Sequence, residues 1–269
     1  MATYKFGFIG TGNMGAAIAR AVCKSVSPDE VVLSNRTSSK ADVLAYELKC
    51  TAVNSITVAR EAKFIFLGVK PQGLKALFDS ISPFLAGRCD HFVLISMAAG
   101  ISIKQIQDFC GAEYPVIRIM PNTPAAVGEG MTVYSVSEGV FEDDLSEFCT
   151  AMKFSGELDR IDESLIDAAC AVSGCGPAFV YMFAEALADA GVKNGLSRAN
   201  AGNYSAQTIL GSAKMILSTG KHPAQLKDEV CSPAGSTIEG VKELENRSFR
   251  ASIINAVDAA AEKTKNIGK

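Results

Sequence analysis

The sequence predicts a doubly wound, mostly parallel α/β domain followed by an all-α domain, and three observations carry that prediction. Short apolar runs alternate with amphipathic stretches up to Arg160; a glycine-rich turn follows the first run at once; and beyond Arg160 the strand-like runs give way to long helix-compatible segments. A chain of 269 residues exceeds one ordinary core, so we expect two domains, 1–161 and 162–269.

Composition narrows the function classes. With 48% hydrophobic and 20% charged residues and no low-complexity tract, the chain reads as an ordinary globular protein. A net charge of −3 argues against general nucleic-acid binding, so any phosphate site must be local. The eight cysteines show no C-x-x-C pairing and there are only two histidines, His91 and His222; no metal site, thioredoxin-like centre or Ser-His-Asp triad is expected. The chain opens Met-Ala-Thr-Tyr-Lys without a secretory apolar region, and we counted no apolar run of about 18 residues; a cytoplasmic protein with no membrane partner is expected.

The first run, Tyr4 to Ile9, leads directly into Gly10-Thr11-Gly12-Asn13-Met14-Gly15 and then the helical pattern Ala16 to Val22. Strand, glycine turn and helix stand in the order a dinucleotide site needs. Gly10 permits the turn, Gly12 lets a pyrophosphate approach the backbone, and Gly15 lets helix and strand pack closely, with the helix N-terminus facing the phosphates. This is a Rossmann arrangement. After the next strand, Val31 to Leu33, comes Ser34-Asn35-Arg36-Thr37-Ser38-Ser39-Lys40, where an NAD-specific fold usually carries an acid. Hydroxyls, an amide and a guanidinium can hold a 2′-phosphate that a carboxylate would repel, so NADP(H) is favoured, with NAD(H) left open as a second cofactor. Asn54 is a further candidate cofactor contact. The runs Phe64 to Leu67, Phe92 to Ile95 and Val116 to Ile119 continue the sheet, with helices at Gln72 to Ile81 and Ser102 to Phe109. Ligands of parallel sheets sit beyond strand C-termini, which makes Val69, Lys70 and Pro71, then Ser96, Ala98 and Ala99, then Met120, Pro121 and Asn122 candidate cofactor contacts. An ordinary connecting loop is the alternative at each.

In the second half, helices are expected at Ser164 to Val172, Pro177 to Gly191, Arg198 to Ser218, Pro223 to Glu229 and Phe249 to Lys265, separated by breakers such as Gly174-Cys175-Gly176-Pro177 and Ser232 to Gly235. Segments such as Tyr204 to Leu217 are more apolar than one small core requires, which points to a subunit interface. Ser173 and Gly174 precede Pro177, suited to a first helical position, so backbone donors there could face a ligand; a tightly packed helix–helix turn is the alternative. Cys175 has no histidine near it in sequence and reads as structural. Ser232 to Ile238 again leads into a helix, with Ser236 and Thr237 in its first turn. Free N–H groups and the helix dipole there favour a carboxylate, and Thr237 adds a hydroxyl able to meet a ring nitrogen; capping alone is the other reading.

Taken together these segments resemble the Δ1-pyrroline-5-carboxylate reductase family over essentially the whole chain. The likeness lies in Phe8 to Gly15, Val69-Lys70-Pro71-Gln72, Arg118 to Pro124, Val172 to Phe179, Glu185 to Val192, His222 to Asp228 and the Ser232-Pro233-Ala234-Gly235-Ser236-Thr237 motif. The resemblance implies a nicotinamide-dependent reductase with a helical dimerisation domain, working as a homodimer or as a ring of five dimers, that takes a cyclic imino acid and makes L-proline by hydride transfer to the imine carbon. It implies substrate contacts at Ser173, Gly174, Ser232, Gly235, Ser236 and Thr237, with Thr237 as the catalytic residue. The family motif usually reads Ser-Pro-Gly-Gly-Thr/Ala-Thr, so Ala234 and Ser236 depart from it. A protonated imine brings its own proton, so no dedicated acid is needed. Two other readings stand beside this one: a β-hydroxyacid dehydrogenase using Lys193, and an NADP-binding redox sensor without catalysis.

Overall fold

The structure is a computed structural model that describes residues 2–267. Eight strands, β1 (Tyr4–Ile9), β2 (Val31–Ser34), β3 (Thr51–Ala52), β4 (Ala62–Leu67), β5 (Val93–Ser96), β6 (Val116–Met120), β7 (Gly130–Val136) and β8 (Gly156–Arg160), form one sheet in the order β3-β2-β1-β4-β5-β6-β7-β8. All neighbours pair parallel except β6 with β7. The strand order reverses between β1 and β4, which opens a crevice at the carboxyl ends of those two strands.

The strands are apolar on both faces because helices cover both. On one face Phe6 stacks on Phe64 and Phe8 on Phe66, with ring centroids 5.2 and 4.4 Å apart. They pack with α1 (Asn13–Val22), α2 (Ser38–Leu48) and α6 (Glu142–Met152). On the other, Ile65 and Leu67 meet α3 (Ser55–Glu61), α4 (Pro71–Ala86) and α5 (Ile103–Cys110). The four phenylalanines are fully buried and each contributes about 2 kcal/mol of burial. The same alternation that sorts them fixes the register of the sheet, since a one-residue slip would exchange the two faces.

Beyond β8, a short 3₁₀ turn (Glu163–Leu165) runs into α7 (Ile166–Ala169), a single π-turn (Cys170–Gly174) and α8 (Gly176–Lys193). The Gly174-Cys175-Gly176-Pro177 breaker therefore does not end a helix. Pro177 has no N–H for the carbonyl four residues back, and the chain absorbs the misfit as one π-turn, in which Cys175 N donates to Cys170 O at 2.9 Å. There is no free helix start at Pro177. The continuous helix Glu163–Lys193 is also long and apolar enough, by length and composition, to cross a membrane, which corrects the count made from sequence; only 17% of its most apolar window is buried within the chain.

The chain divides into two compact units, Met1–Cys175 with Ala260–Lys269, and Gly176–Ala259. Composition placed a boundary after Ile161, where the sheet ends; packing keeps the helical turns up to Cys175 with the sheet. The second unit contains α8, α9 (Arg198–Thr219), α10 (Pro223–Val230), α11 (Ser236–Asn246) and most of α12 (Phe249–Lys265). Its interior is sparse: Ala188, Ala201 and Ser205 are its buried residues, while Tyr181, Met182, Leu217 and Ile254 are 62, 69, 82 and 60% exposed.

Candidate functional site

The glycine turn is built by close backbone approach. Gly10 sits at φ +106°, and a Cβ there would lie 2.5 Å from Gly68 O. A Cβ on Gly15 would collide with Gly10 O, so helix and strand meet through glycine alone, as predicted for that position. Gly12 differs: a side chain there would meet nothing within 4 Å. Gly12 caps α1 with no side chain bonded to the helix end and no acid in the first turn, so the helix start is uncapped. Thr11 adds a buried hydroxyl oxygen without a partner among the described residues. An uncapped helix start, a position open beside Gly12 and an orphaned hydroxyl fit a dinucleotide pyrophosphate.

The loop after β2 is tied to this turn. Gly10 N donates to Ser34 O at 2.7 Å, and Thr11 N donates to Asn35 Oδ1 at 3.1 Å. Asn35 Nδ2 donates to Thr37 O at 3.1 Å within its own loop, so both ends of its carboxamide are engaged. Arg36 is exposed and in no ion pair among the described residues, and the first turn of α2 carries no acid. That leaves a cation and an uncapped helix start for a 2′-phosphate. Asn54 caps α3, its Oδ1 accepting from Thr57 N at 2.9 Å.

At the other strand ends, Pro71 opens α4 with Lys70 as its N-cap. Ser96 is fully buried and its hydroxyl accepts from Ala98 N at 3.4 Å; Ala98 is buried too, leaving Ala99 partly exposed. Met120 is buried on the β6 face turned toward α7. Asn122 is buried with both ends of its amide engaged, Nδ2 donating to Ser173 O at 2.9 Å and Oδ1 accepting from Met131 N at 2.9 Å. Ser173 O is the carbonyl four residues before Pro177, so Asn122 supplies the donor that the proline lacks. The strand end at Asn122 and the Ser173-Gly174 turn are thus brought together.

Sequence reasoning missed a buried ionic group. Arg118 is 4% exposed; its Nη1 meets Glu163 Oε1 at 3.1 Å and its Nη2 meets Asp167 Oδ1 at 2.7 Å. Its signal was legible as a lone arginine inside the apolar run Val116-Ile117-Arg118-Ile119. Beneath the π-turn, burial and the neighbouring Cys175 push the Cys170 thiol up to about 11, so it stays protonated.

In the second unit, Ser232, Pro233, Ala234 and Gly235 make a turn in which Gly235 N donates to Ser232 O at 3.1 Å. Gly235 caps α11 without a side-chain bond to the helix. Ser236 and Thr237 fill the first helical turn, exposed, and neither hydroxyl has a partner among the described residues. Capping therefore does not account for Thr237. Ala234 lies at φ +57°, the left-handed region that favours glycine. Lys193 is exposed in the last turn of α8.

Residues 163–267 match a family model described as pyrroline-5-carboxylate reductase dimerisation, and residues 5–100 one described as NADP oxidoreductase, coenzyme F420-dependent. A pyrroline-5-carboxylate reductase of Glycine max is 40% identical, with 98% of this chain and 96% of that protein covered. Its counterpart in Escherichia coli K12 is 39% identical, with 98% of both chains covered. A crystal structure of Plasmodium falciparum pyrroline carboxylate reductase with NADP bound superimposes with a TM-score of 0.88 at 34% identity, covering 100% of both chains.

Proposed function

The chain belongs to the pyrroline-5-carboxylate reductase family, and on that premise we infer that it reduces Δ1-pyrroline-5-carboxylate to L-proline with NADPH. The observation that carries this reading is the start of α11: an uncapped first turn with an unengaged threonine hydroxyl and backbone donors. Gly10, Thr11, Gly12, Asn13, Met14 and Gly15 would hold the pyrophosphate and Arg36 and Thr37 the 2′-phosphate, with Ser34 and Asn35 bracing that loop and Asn54, the cap of α3, as a further cofactor contact. Val69, Lys70, Pro71, Ser96, Ala98, Ala99, Met120, Pro121 and Asn122 would line the path of the nicotinamide, the buried ones among them through their backbone.

When bound, NADPH supplies the hydride. The chain's residues do the rest by placement. The N–H groups of Ser236 and Thr237 bind the substrate carboxylate at the positive end of α11. Ser232 and Gly235 shape that turn and the Thr237 hydroxyl holds the ring nitrogen; Ser173 and Gly174 are further proposed substrate contacts. A cyclic imine that arrives protonated receives hydride without an enzymic acid, in keeping with a turn that offers hydroxyls and amides.

The wider assignment follows the same reading. Residues 1–161 act as the cofactor domain and 162–269 as the dimerisation and substrate domain. The exposed apolar helices of the second unit support a homo-oligomer, either a dimer or a ring of dimers, and no membrane partner is proposed; a monomer in sedimentation would contradict this. The protein works in the cytoplasm and engages no nucleic acid, in line with its net charge of −3. The test is loss of NADPH absorbance with pyrroline-5-carboxylate, in the wild type and in Thr237→Val. We expect the variant to bind NADPH within twofold of wild type while kcat/KM falls about 10²-fold; unchanged rates would remove Thr237 from the mechanism.

A further inference from the structure

Strand β6 and the residues that continue it use one face to hold a second element along its whole length. Side chains two apart in an extended chain point the same way, and Arg118, Met120 and Asn122 are such a set. Arg118 bonds Glu163 and Asp167, Met120 packs with Ile166 and Cys170, and Asn122 donates to Ser173 O. The partners are spaced three or four residues apart, which is one side of a helix. The lengths agree as well: ten residues of helix from Glu163 to Ser173 rise about 15 Å, and four extended residues from Arg118 to Asn122 about 13 Å. The segment 163–174 is therefore registered along β6 at three points, and the last of them is the turn that carries Ser173 and Gly174.

Of the three, the Arg118 contact is the one whose strength depends on direction and charge. Apolar packing of Met120 against Ile166 and Cys170 tolerates sliding, and one amide bond at Asn122 fixes one carbonyl. A guanidinium bonded to two carboxylates one turn apart fixes both the helix's rotation and its advance along the strand. Glu163 Oε1 also accepts from Ile103 N at 2.6 Å, which ties the same carboxylate to the start of α5.

We propose that Arg118 is a positioning residue of the reaction: by holding Glu163 and Asp167 it sets the register of the 163–174 segment on β6 and so places Ser173 and Gly174 for the substrate. The inference rests on the reading of those two residues as substrate contacts. Arg118 lies within the strand, before the residues that face the cofactor, so its loss acts on the imino acid and leaves the dinucleotide in place.

The experiment uses full-length Arg118→Lys, Arg118→Gln and Glu163→Gln, the last keeping an acceptor for Ile103 N while removing the charge that Arg118 meets. Steady-state constants are measured for pyrroline-5-carboxylate and, by fluorescence titration, the Kd for NADPH. We expect KM for pyrroline-5-carboxylate to rise about tenfold in Arg118→Gln and Glu163→Gln, with partial recovery in Arg118→Lys and an NADPH Kd within twofold of wild type in all three. If Arg118→Gln does not fold, the surface-accessible Glu163→Gln decides. A KM unchanged in folded variants, or an equal loss of NADPH affinity, overturns the inference. A wild type that consumes no NADPH with pyrroline-5-carboxylate overturns instead the functional reading beneath it.

Discussion

The two candidate regions of this chain do opposite things with their small residues. At the glycine turn, smallness is used inside the protein: Gly10, Gly15 and Gly68 let three backbone segments approach more closely than any Cβ would permit, under a sheet with buried phenylalanines on one face and aliphatic side chains on the other. At the start of α11 smallness is used outward. Ser232, Ser236 and Thr237 are exposed, the Ser236 and Thr237 hydroxyls have no partner among the described residues, and the Gly235 N–H closes the turn on Ser232 O. Backbone packed on backbone sets the first region from within the chain, whereas the second, on the proposed function, is set by the ligand it meets. A substitution should therefore act on stability in the first region and on ligand or turnover in the second, and exceptions to that rule mark the functional positions.

The strongest way to break this contrast lies within the glycine turn itself. Gly15→Val puts a branched side chain against Gly10 O and should destabilise the protein by about 3 kcal/mol or prevent folding. Gly12→Ala places a methyl in space that the chain leaves empty, so its denaturant midpoint should match wild type while NADPH affinity falls about tenfold or more. Equal stability losses in the two variants would show that Gly12 serves packing and would remove the open space as a sign of the phosphate.

A smaller effect, and one that depends on pH, tests whether the first unit's charges serve structure as fully as its glycines do. Asp144 is buried at the start of α6, with His91 Nε2 at 2.7 Å, Lys63 Nζ at 3.1 Å and Phe141 N donating to it at 3.1 Å. Burial opposes its ionisation, but the bonds from His91, Phe141 and Lys63 outweigh that and hold its carboxyl below the usual carboxylate range. A depressed folded value contributes stability that is present above the unfolded value, near 4, and that is lost as pH falls through the folded one. Wild type should lose stability as pH drops below about 4, and Asp144→Asn should lack that share of the slope and be less stable at pH 7 by about 2 kcal/mol. Chemical denaturation from about pH 2.5 to 7, across the unfolded carboxylate range, measures both effects. Identical slopes in the two proteins would remove Asp144 from the acid response.

The contrast also explains what could be read from sequence. Gly10 to Gly15 announced itself because close backbone approach leaves glycines at fixed spacing, and the first turn of α11 because hydroxyls stand where a helix begins. β7 was invisible because Thr132 and Ser135 are buried on its two faces, so its pattern shows no solvent side, and β8 because Gly-Glu-Leu-Asp-Arg is a charged edge strand without an apolar run. The π-turn was hidden for another reason: Gly174 to Pro177 reads as a break, yet it continues as helix, with Asn122, far away in sequence, donating to the carbonyl that Pro177 cannot serve. Asn35 and Asn122 follow strands, where ligand contacts are expected. Their amides are occupied within the chain, which only the geometry of the partners could reveal.

The smallest expected effect sharpens the outward-facing side. Ala234 occupies a left-handed conformation at φ +57° in the turn before α11, where the family motif carries glycine. An L-residue there costs roughly 1–2 kcal/mol relative to its usual conformations. Glycine relieves that strain but gives the unfolded chain about 0.4–1 kcal/mol more conformational freedom. The difference leaves Ala234→Gly more stable by about 0.5 kcal/mol, a rise in melting temperature of about 1–2 °C. Because Ala234 is exposed and the backbone already adopts the conformation glycine prefers, kcat/KM for pyrroline-5-carboxylate should stay within twofold. A large gain in kcat/KM would mean that the alanine holds the turn away from its working geometry, and that this outward-facing region, unlike the glycine turn, is not yet set in the free chain.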